Sequence, residues 1–464
     1  MNIRLWCALL AAAAGSAQAA SVSWRVPVHA DVEIAPGVVQ TVPLLPMGTT
    51  LEYSPGVMDE ASGFVIAGGA QMEPAASPWP GPLSPYVTKR AESDGRVLWR
   101  WQADAAAAVE GTIRQVRLLG AHRDIVVIGH TRSGGVDRML LAAIDHATGA
   151  TLWRVDGEPG TVGYGIAPET DESGDIVVTW YGANRQYIAK YTLAGALSWS
   201  ASLPDADATW DDFRIATSGG FTYIAGRYSQ AAPVVESGVQ IGLSAQGSGF
   251  VFVDRFPAAG NAAVAHLDAV DESSGSVLLD AGLTLRWLDP TGQTRWTQQS
   301  GVTLPRIVQA LDNLGPAGEL YVAGNVDTGE AHVAQIDGLS TATGDGEWYR
   351  AFEAVAPRTA AYAQVLRSGY PNPGVLFGWV SEGGAAARQM HVTALADHTH
   401  EVAWQADFGS PDPENENNPI DLRMAPRKNV FVLALTNDAS EDSTATLYKL
   451  DSPSADDIFA NGLE

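Results

Sequence analysis

An all-β chain built from repeated sheets is predicted by three observations. The first is a recurring pair, a glycine four residues ahead of a tryptophan: Gly95 and Trp99, Gly149 and Trp153, Gly195 and Trp199, Gly292 and Trp296, Gly344 and Trp348. The second is the interval between copies, about 50 residues, which suits one four-stranded blade of a radial array. The third is composition: 48 Gly, 26 Pro and 14 Trp with only 17% charged residues, and few stretches with the helical hydrophobic period. Together they specify a single closed β-propeller of four-stranded blades.

Residues 1–19 place one basic residue, Arg4, before an apolar run and end in Ala17-Gln18-Ala19, the pattern of a secretory signal peptide. The run is too short to span a bilayer comfortably, and no comparable stretch follows. The one cysteine, Cys7, lies inside this segment, so the mature chain is expected to have no disulfide, thiolate metal site or cysteine nucleophile. The expected organisation is a signal peptide over 1–19, a propeller over 20–455 and a tail over 456–464. The chain is expected in the periplasm or outside the cell, as a monomer.

Within each unit the order of elements repeats. A turn cluster leads into a short apolar strand, as in residues 171–180, 271–282 and 318–325, and the near-continuous apolar character fits a strand covered on both faces. A third strand follows, as in 139–146, 187–194 and 283–289. The marker glycine then supplies the positive φ of a tight turn, with Asp145 or Asp289 placed to bond turn amides. The tryptophan opens the fourth strand and is expected to pack between adjacent units.

Counting fourth strands gives Trp99, Trp153, Trp199, Val251, Trp296, Trp348 and Trp404, where Val251 replaces a tryptophan after Gly247 and His400 replaces the glycine before Trp404. An eighth unit is split. Residues 431–437 and 445–451 lack a tryptophan strand of their own, and residues 21–28 with Trp24 are expected to supply it and close the ring. Eight blades are therefore expected, with seven the alternative if the Val251 unit is not a blade.

Set beside residues 188–205, IAKYTLAGALSWSASLPD, the stretch 143–157, AIDHATGATLWRVDG, resembles the quinoprotein-type, pyrroloquinoline-quinone-like propeller repeat. The resemblance covers nearly the whole mature chain and implies the fold. Such repeats occur in quinone-dependent dehydrogenases and in non-catalytic propellers, including a periplasmic outer-membrane assembly factor. In the dehydrogenases a cysteine pair covers the cofactor and a Glu/Asn/Asp set holds calcium; here the mature chain has no cysteine and no matching calcium set is found. Residues 456–464, DDIFANGLE, are similar to a short terminal signature of secreted proteins of some Gram-negative bacteria, with Leu463 where phenylalanine is usual.

Charge and motif content exclude several functions. With 28 Lys and Arg against 53 Asp and Glu the net charge is −25, which repels nucleic acid and anionic membrane surfaces. There is no P-loop, dinucleotide fingerprint, HExxH or G-x-S-x-G. His398 and His400 lie close together but form half a metal site, and a carboxylate pair contributed by separate blades would leave no local motif. The acidic stretch 410–421 fits a solvated turn better than a calcium loop, and the proline-rich stretch 73–85 with Trp79 fits an inter-strand loop better than a partner-binding one.

The axial channel is the expected ligand site. Arg117, Arg214, Arg367 and Arg423 each precede an apolar strand by a similar interval. They either converge as a positive ring that holds a carboxylate or phosphate ligand, or each pairs with a neighbouring blade's carboxylate such as Asp268 or Asp421. The expected function is a secreted binding or scaffold protein for an unidentified protein or small anionic ligand, without a cofactor. The alternative is an enzyme using the axial funnel, either a dehydrogenase with pyrroloquinoline quinone and calcium or a hydrolase.

Overall fold

In the computed structural model the described residues are 18–19, 21–35, 38–45, 51–54, 62–71, 83–104, 109–119, 124–168, 175–182, 185–203, 208–218, 220–231, 234–244, 249–257, 264–269, 275–280, 284–299, 310–312, 319–327, 332–356, 358–368, 374–383, 388–396, 399–408, 417–424, 429–437 and 443–451. Residues 1–17, Gly247, His398, Trp79 with most of the proline-rich stretch, 410–416 of the acidic stretch and the tail 456–464 lie outside them. Among the described residues the chain is all-β, with no helix and so none long and apolar enough to cross a membrane.

The strands form seven sheets. Glu110–Leu119, Asp124–Ser133, Val136–Ile144 and Thr151–Asp156 pair antiparallel in chain order. The same order repeats from Val162–Pro168 to Leu197–Ser202, from Ala208–Ser218 to Phe250–Pro257, and from Val264–Ala269 to Thr294–Gln299. Two more such units, Ala310–Asp312 to Gly346–Phe352 and Ala360–Ser368 to Val402–Phe408, count as one sheet because a parallel bridge joins His332 to Ala360. A six-stranded sheet runs from His29–Ala35 to Val97–Gln102. The remaining sheet takes Asn417–Met424, Val430–Asn437 and Ser443–Asp451 from the end of the chain and Ser21–Pro27 from its beginning, with Trp24 opposite Lys449.

Both faces of each second strand are buried, which is why these strands read as continuous apolar runs. Ile125 and Val127 pack with Val65 and Ala67 of the preceding unit, whereas Val126 and Ile128 pack with Ile176 and Val178 of the following one. The alternation repeats unit by unit, and Phe431 and Leu433 near the C-terminus pack with Phe64 and Ile66 near the N-terminus.

The glycine–tryptophan pair joins units rather than strands. Trp24, Trp99, Trp153 and Trp296 each lie against the turn glycine of the following unit: a Cβ on Gly149 would lie 2.8 Å from Trp99, and one on Gly195 would lie 2.6 Å from Trp153. The indole N–H groups of Trp99, Trp153 and Trp296 donate to the carbonyls of His146, Leu193 and Thr341 in those same turns. Asp145 Oδ1 accepts from the amides of Ala147 and Thr148, which holds the turn beneath Trp99. His400 takes the glycine's place at φ 54° and stacks on Trp348 at 4.2 Å. Trp404, last in the series, pairs in register with Gln18 ahead of Ser21–Pro27.

The unit without a tryptophan differs from the sequence reading. Phe252, not Val251, stands in the tryptophan register, opposite Gly242, and a Cβ on Gly292 would lie 2.5 Å from it. Val251 falls at the register shift and is exposed. Counting four residues from a glycine places the marker one residue early here.

Candidate functional site

The first strand of each unit, here the lead strand, lies beside the lead strand of the next, and Asn417–Met424 lies beside Leu51–Ser54. Six of these strands carry a register shift near their middle: at Arg114, Tyr164, Asp212 with Phe213, Ala265, Gln364 and Ile420. A shift of this kind re-aims side chains at a sheet edge. Arg114 and Tyr164, at two successive shifts, meet with the guanidinium 4.8 Å above the ring.

Register places the four arginines. Arg117, Arg367 and Arg423 stand opposite Val126, Leu376 and Phe431, which occupy equivalent positions in their second strands. Arg214 stands opposite Ala225, two residues away from that level, which Ala216 occupies opposite Tyr223. The reason is the hairpin: Ser218 pairs with Phe221, so that loop is shorter than those that follow Leu119, Ser368 and Met424. An interval counted along the chain does not register loop length.

Carboxylates share the level. Glu52 stands opposite Val65, Asp268 opposite Val277 and Asp312 opposite Tyr321. In chain order the eight positions are Glu52, Arg117, Ala167, Ala216, Asp268, Asp312, Arg367 and Arg423. The level is therefore mixed in sign, with Glu52 between two arginines and two aspartates beside a third. The side chains of Glu52, Arg214, Asp268, Asp312 and Arg367 lie outside the description. Arg117 is half-buried and donates to the Val116 carbonyl at 3.0 Å. Arg423 donates to Asp421 Oδ1 at 2.9 Å, and that carboxylate belongs to its own strand rather than to a neighbouring unit.

Two other groupings bear on chemistry. Ser381 Oγ lies 2.7 Å from His391 Nε2, and His391 Nδ1 lies 2.7 Å from Asp407 Oδ1, a serine–histidine–aspartate row across three neighbouring strands. Its orientation is the reverse of a nucleophile's: Ser381 is 1% exposed, while the Asp407 side chain is 49% exposed. No substrate carbonyl reaches the hydroxyl, and the row satisfies a buried Ser381 beneath an imidazole stacked 3.8 Å from Trp379. The His391 hydrogen bond holds the Asp407 carboxyl below the usual carboxylate range. No local motif spans 381, 391 and 407, so only cross-strand register brings them together.

Asp124, Asp145 and His146 are the one group with metal-ligand spacing among the described residues. Lys89 Nζ donates to the His146 carbonyl at 3.0 Å, and Asp145 Oδ1 is engaged by the turn amides and the Thr148 hydroxyl. The buried Lys89 reaches the same turn, and the group belongs to the tryptophan seam.

No protein-family model matches the chain. No curated protein matches it by sequence. Among solved structures it is similar to the Dos1 propeller, at 12% identity over 88% of this chain and 95% of that one with a TM-score of 0.50. It also aligns with the BBS1N domain crystallised with ARL6DN, at 9% identity, 95% and 98% coverage and a TM-score of 0.43. The WD40 domain of SCAP from fission yeast aligns at 8% identity, 92% and 97% coverage and a TM-score of 0.43. The likeness to the Dos1 propeller, together with the all-β architecture, makes the fold propeller-like.

Proposed function

We propose that the chain is an exported, eight-bladed propeller, closed by Ser21–Pro27 joining the last sheet, that works as a binding or scaffold protein and receives a protein partner at the axial end of its lead strands. Support for closure comes from the strand pairing of the two chain ends and from the apolar contact of Phe431 with Phe64. Export rests on residues 1–19, whose last two, Gln18 and Ala19, pair with Trp404 and Gln405 and would leave with the signal peptide.

The observation that carries the binding reading is the mixed-sign level formed by Glu52, Arg117, Asp268, Asp312, Arg367 and Arg423 in register. A ring of arginines alone would favour a small anion. Charges of both signs favour a polar protein surface, for which they set orientation and partner choice. In the test, mature chain 20–464 and an Arg117→Gln/Arg423→Gln variant are immobilised and challenged with envelope extract and culture fluid. Capture of a partner by the parent, reduced at least tenfold in the variant, is the expected result. Equal capture by both removes the lead strands from the site. Stoichiometric uptake of pyrroloquinoline quinone with calcium, followed by dye reduction with an alcohol or sugar, would replace the reading with the dehydrogenase alternative.

A further inference from the structure

A cavity of about 370 Å³ opens between the sheet ending at Thr294–Gln299 and the unit ending at Gly346–Phe352. It lies away from the lead strands, on second, third and fourth strands, and its size falls within the range of small-ligand sites. The inner wall is apolar: Leu285 and Val322 are fully buried, and Leu339 nearly so.

Asp337 lies in that wall, opposite Val322 on one side and Tyr349 on the other. It is 8% exposed. Among the described residues its one hydrogen-bond partner is the Gln335 side-chain amide, at 2.5 Å, and no described Lys, Arg or His lines the cavity. Burial pushes the carboxyl above its ordinary range, with the Gln335 hydrogen bond opposing. The corresponding residue of the preceding unit shows the contrast: Arg286, opposite Leu278 as Asp337 is opposite Val322, is closed by Asp254 at 2.9 Å. A buried carboxylate without a cation beside it is unfavourable. The remaining polar lining among the described residues is Gln298, Gln299, Glu347, the Trp348 indole and Tyr349, so the charged side chains described there, Asp337 and Glu347, are both acidic.

We propose that this cavity binds a small alkylammonium group, with the ammonium at Asp337 and Gln335 and the methylenes on Leu285, Val322 and Leu339. Tyr349, 68% exposed, stands at the mouth. The ammonium supplies the charge that Asp337 lacks, and the apolar wall selects an alkyl amine over a metal ion or a bare ammonium. The same chemistry is offered by a free diamine and by a lysine side chain of another protein.

The test is calorimetric titration of the mature chain with cadaverine, with 1-pentanol, and with Nα-acetyl-lysine amide, at low and at 0.3 M salt. Saturable 1:1 binding of cadaverine that persists at 0.3 M salt, is absent for 1-pentanol and weakens at least tenfold in Asp337→Asn is expected. Tighter binding of the lysine amide than of cadaverine assigns the site to a partner's lysine, and the reverse assigns it to a free amine. Binding that disappears at 0.3 M salt, or that differs less than twofold between parent and variant, overturns the proposal. Folding of the variant is checked by its melt. The raised carboxyl makes the charged form of Asp337 destabilising at neutral pH, so Asp337→Asn should melt at or above the parent at pH 7, with the difference fading as pH falls and the parent's carboxyl protonates.

Discussion

The tryptophan seam and the lead-strand level are both repeated around the same set of sheets, yet one is uniform and the other is not. At the seam, wherever both ring and turn are described, a unit places a large ring on the next unit's turn, and where the residue changes the job does not: Phe252 stands in for a tryptophan and His400 for a glycine. At the lead-strand level the register is kept while the residue changes from arginine to alanine to aspartate. Uniform positions do the same work at each interface, which is stability. Positions that vary on a fixed register are free to encode something particular, which is recognition.

That division breaks most readily at the seam. Gly195→Val places a branched side chain at φ 80° against Trp153, and a loss of about 3 kcal/mol or more is expected from strain and overpacking together. Gly134→Val is the matched control, since its φ is 59° but nothing lies within 4 Å of a Cβ there. Its loss should be limited to the conformational part, about 1–2 kcal/mol. Urea melts of the two variants decide it, and equal losses would mean that the turn conformation matters and the ring beneath it does not.

A somewhat smaller effect is expected from Phe252→Ala, about 2–3 kcal/mol for removing a half-buried ring, against less than about 0.5 kcal/mol for Val251→Ala on an exposed site. The reverse order would return the marker to Val251 and undo the register argument. Least affected should be Arg117→Gln, whose melt is expected within about 1 kcal/mol of the parent even where it abolishes partner capture. If Arg117→Gln unfolds the chain as Gly195→Val does, the lead-strand level is structural and the distinction between the two regions fails.

The uniform region is the one a single sequence reports well. A glycine and a tryptophan at fixed spacing recur because turn geometry and ring packing demand those residue types at every interface, so periodicity alone exposes the architecture. Three features escape it for separate physical reasons. Phe252 and Arg214 were displaced by a register shift and by a short hairpin, neither of which leaves a mark on residue counting. Ser381, His391 and Asp407 meet only because antiparallel strands bring distant positions side by side. Asp337 reads as one acidic residue among 53, and its character comes from burial against a neighbouring sheet, which no local pattern encodes.

The pairing of Ser21–Pro27 with Ser443–Asp451 also sets an order of events. Almost the whole chain separates the two strands, so this contact has nearly the largest loop to close of any in the molecule. The hairpin pairings within each unit form locally and early by comparison. The first strand to emerge during synthesis must therefore wait, with its edge unsatisfied, until the last strand is made. Spontaneous opening of the finished molecule should begin at the same place, since separating those two strands frees an edge without breaking a connected hairpin.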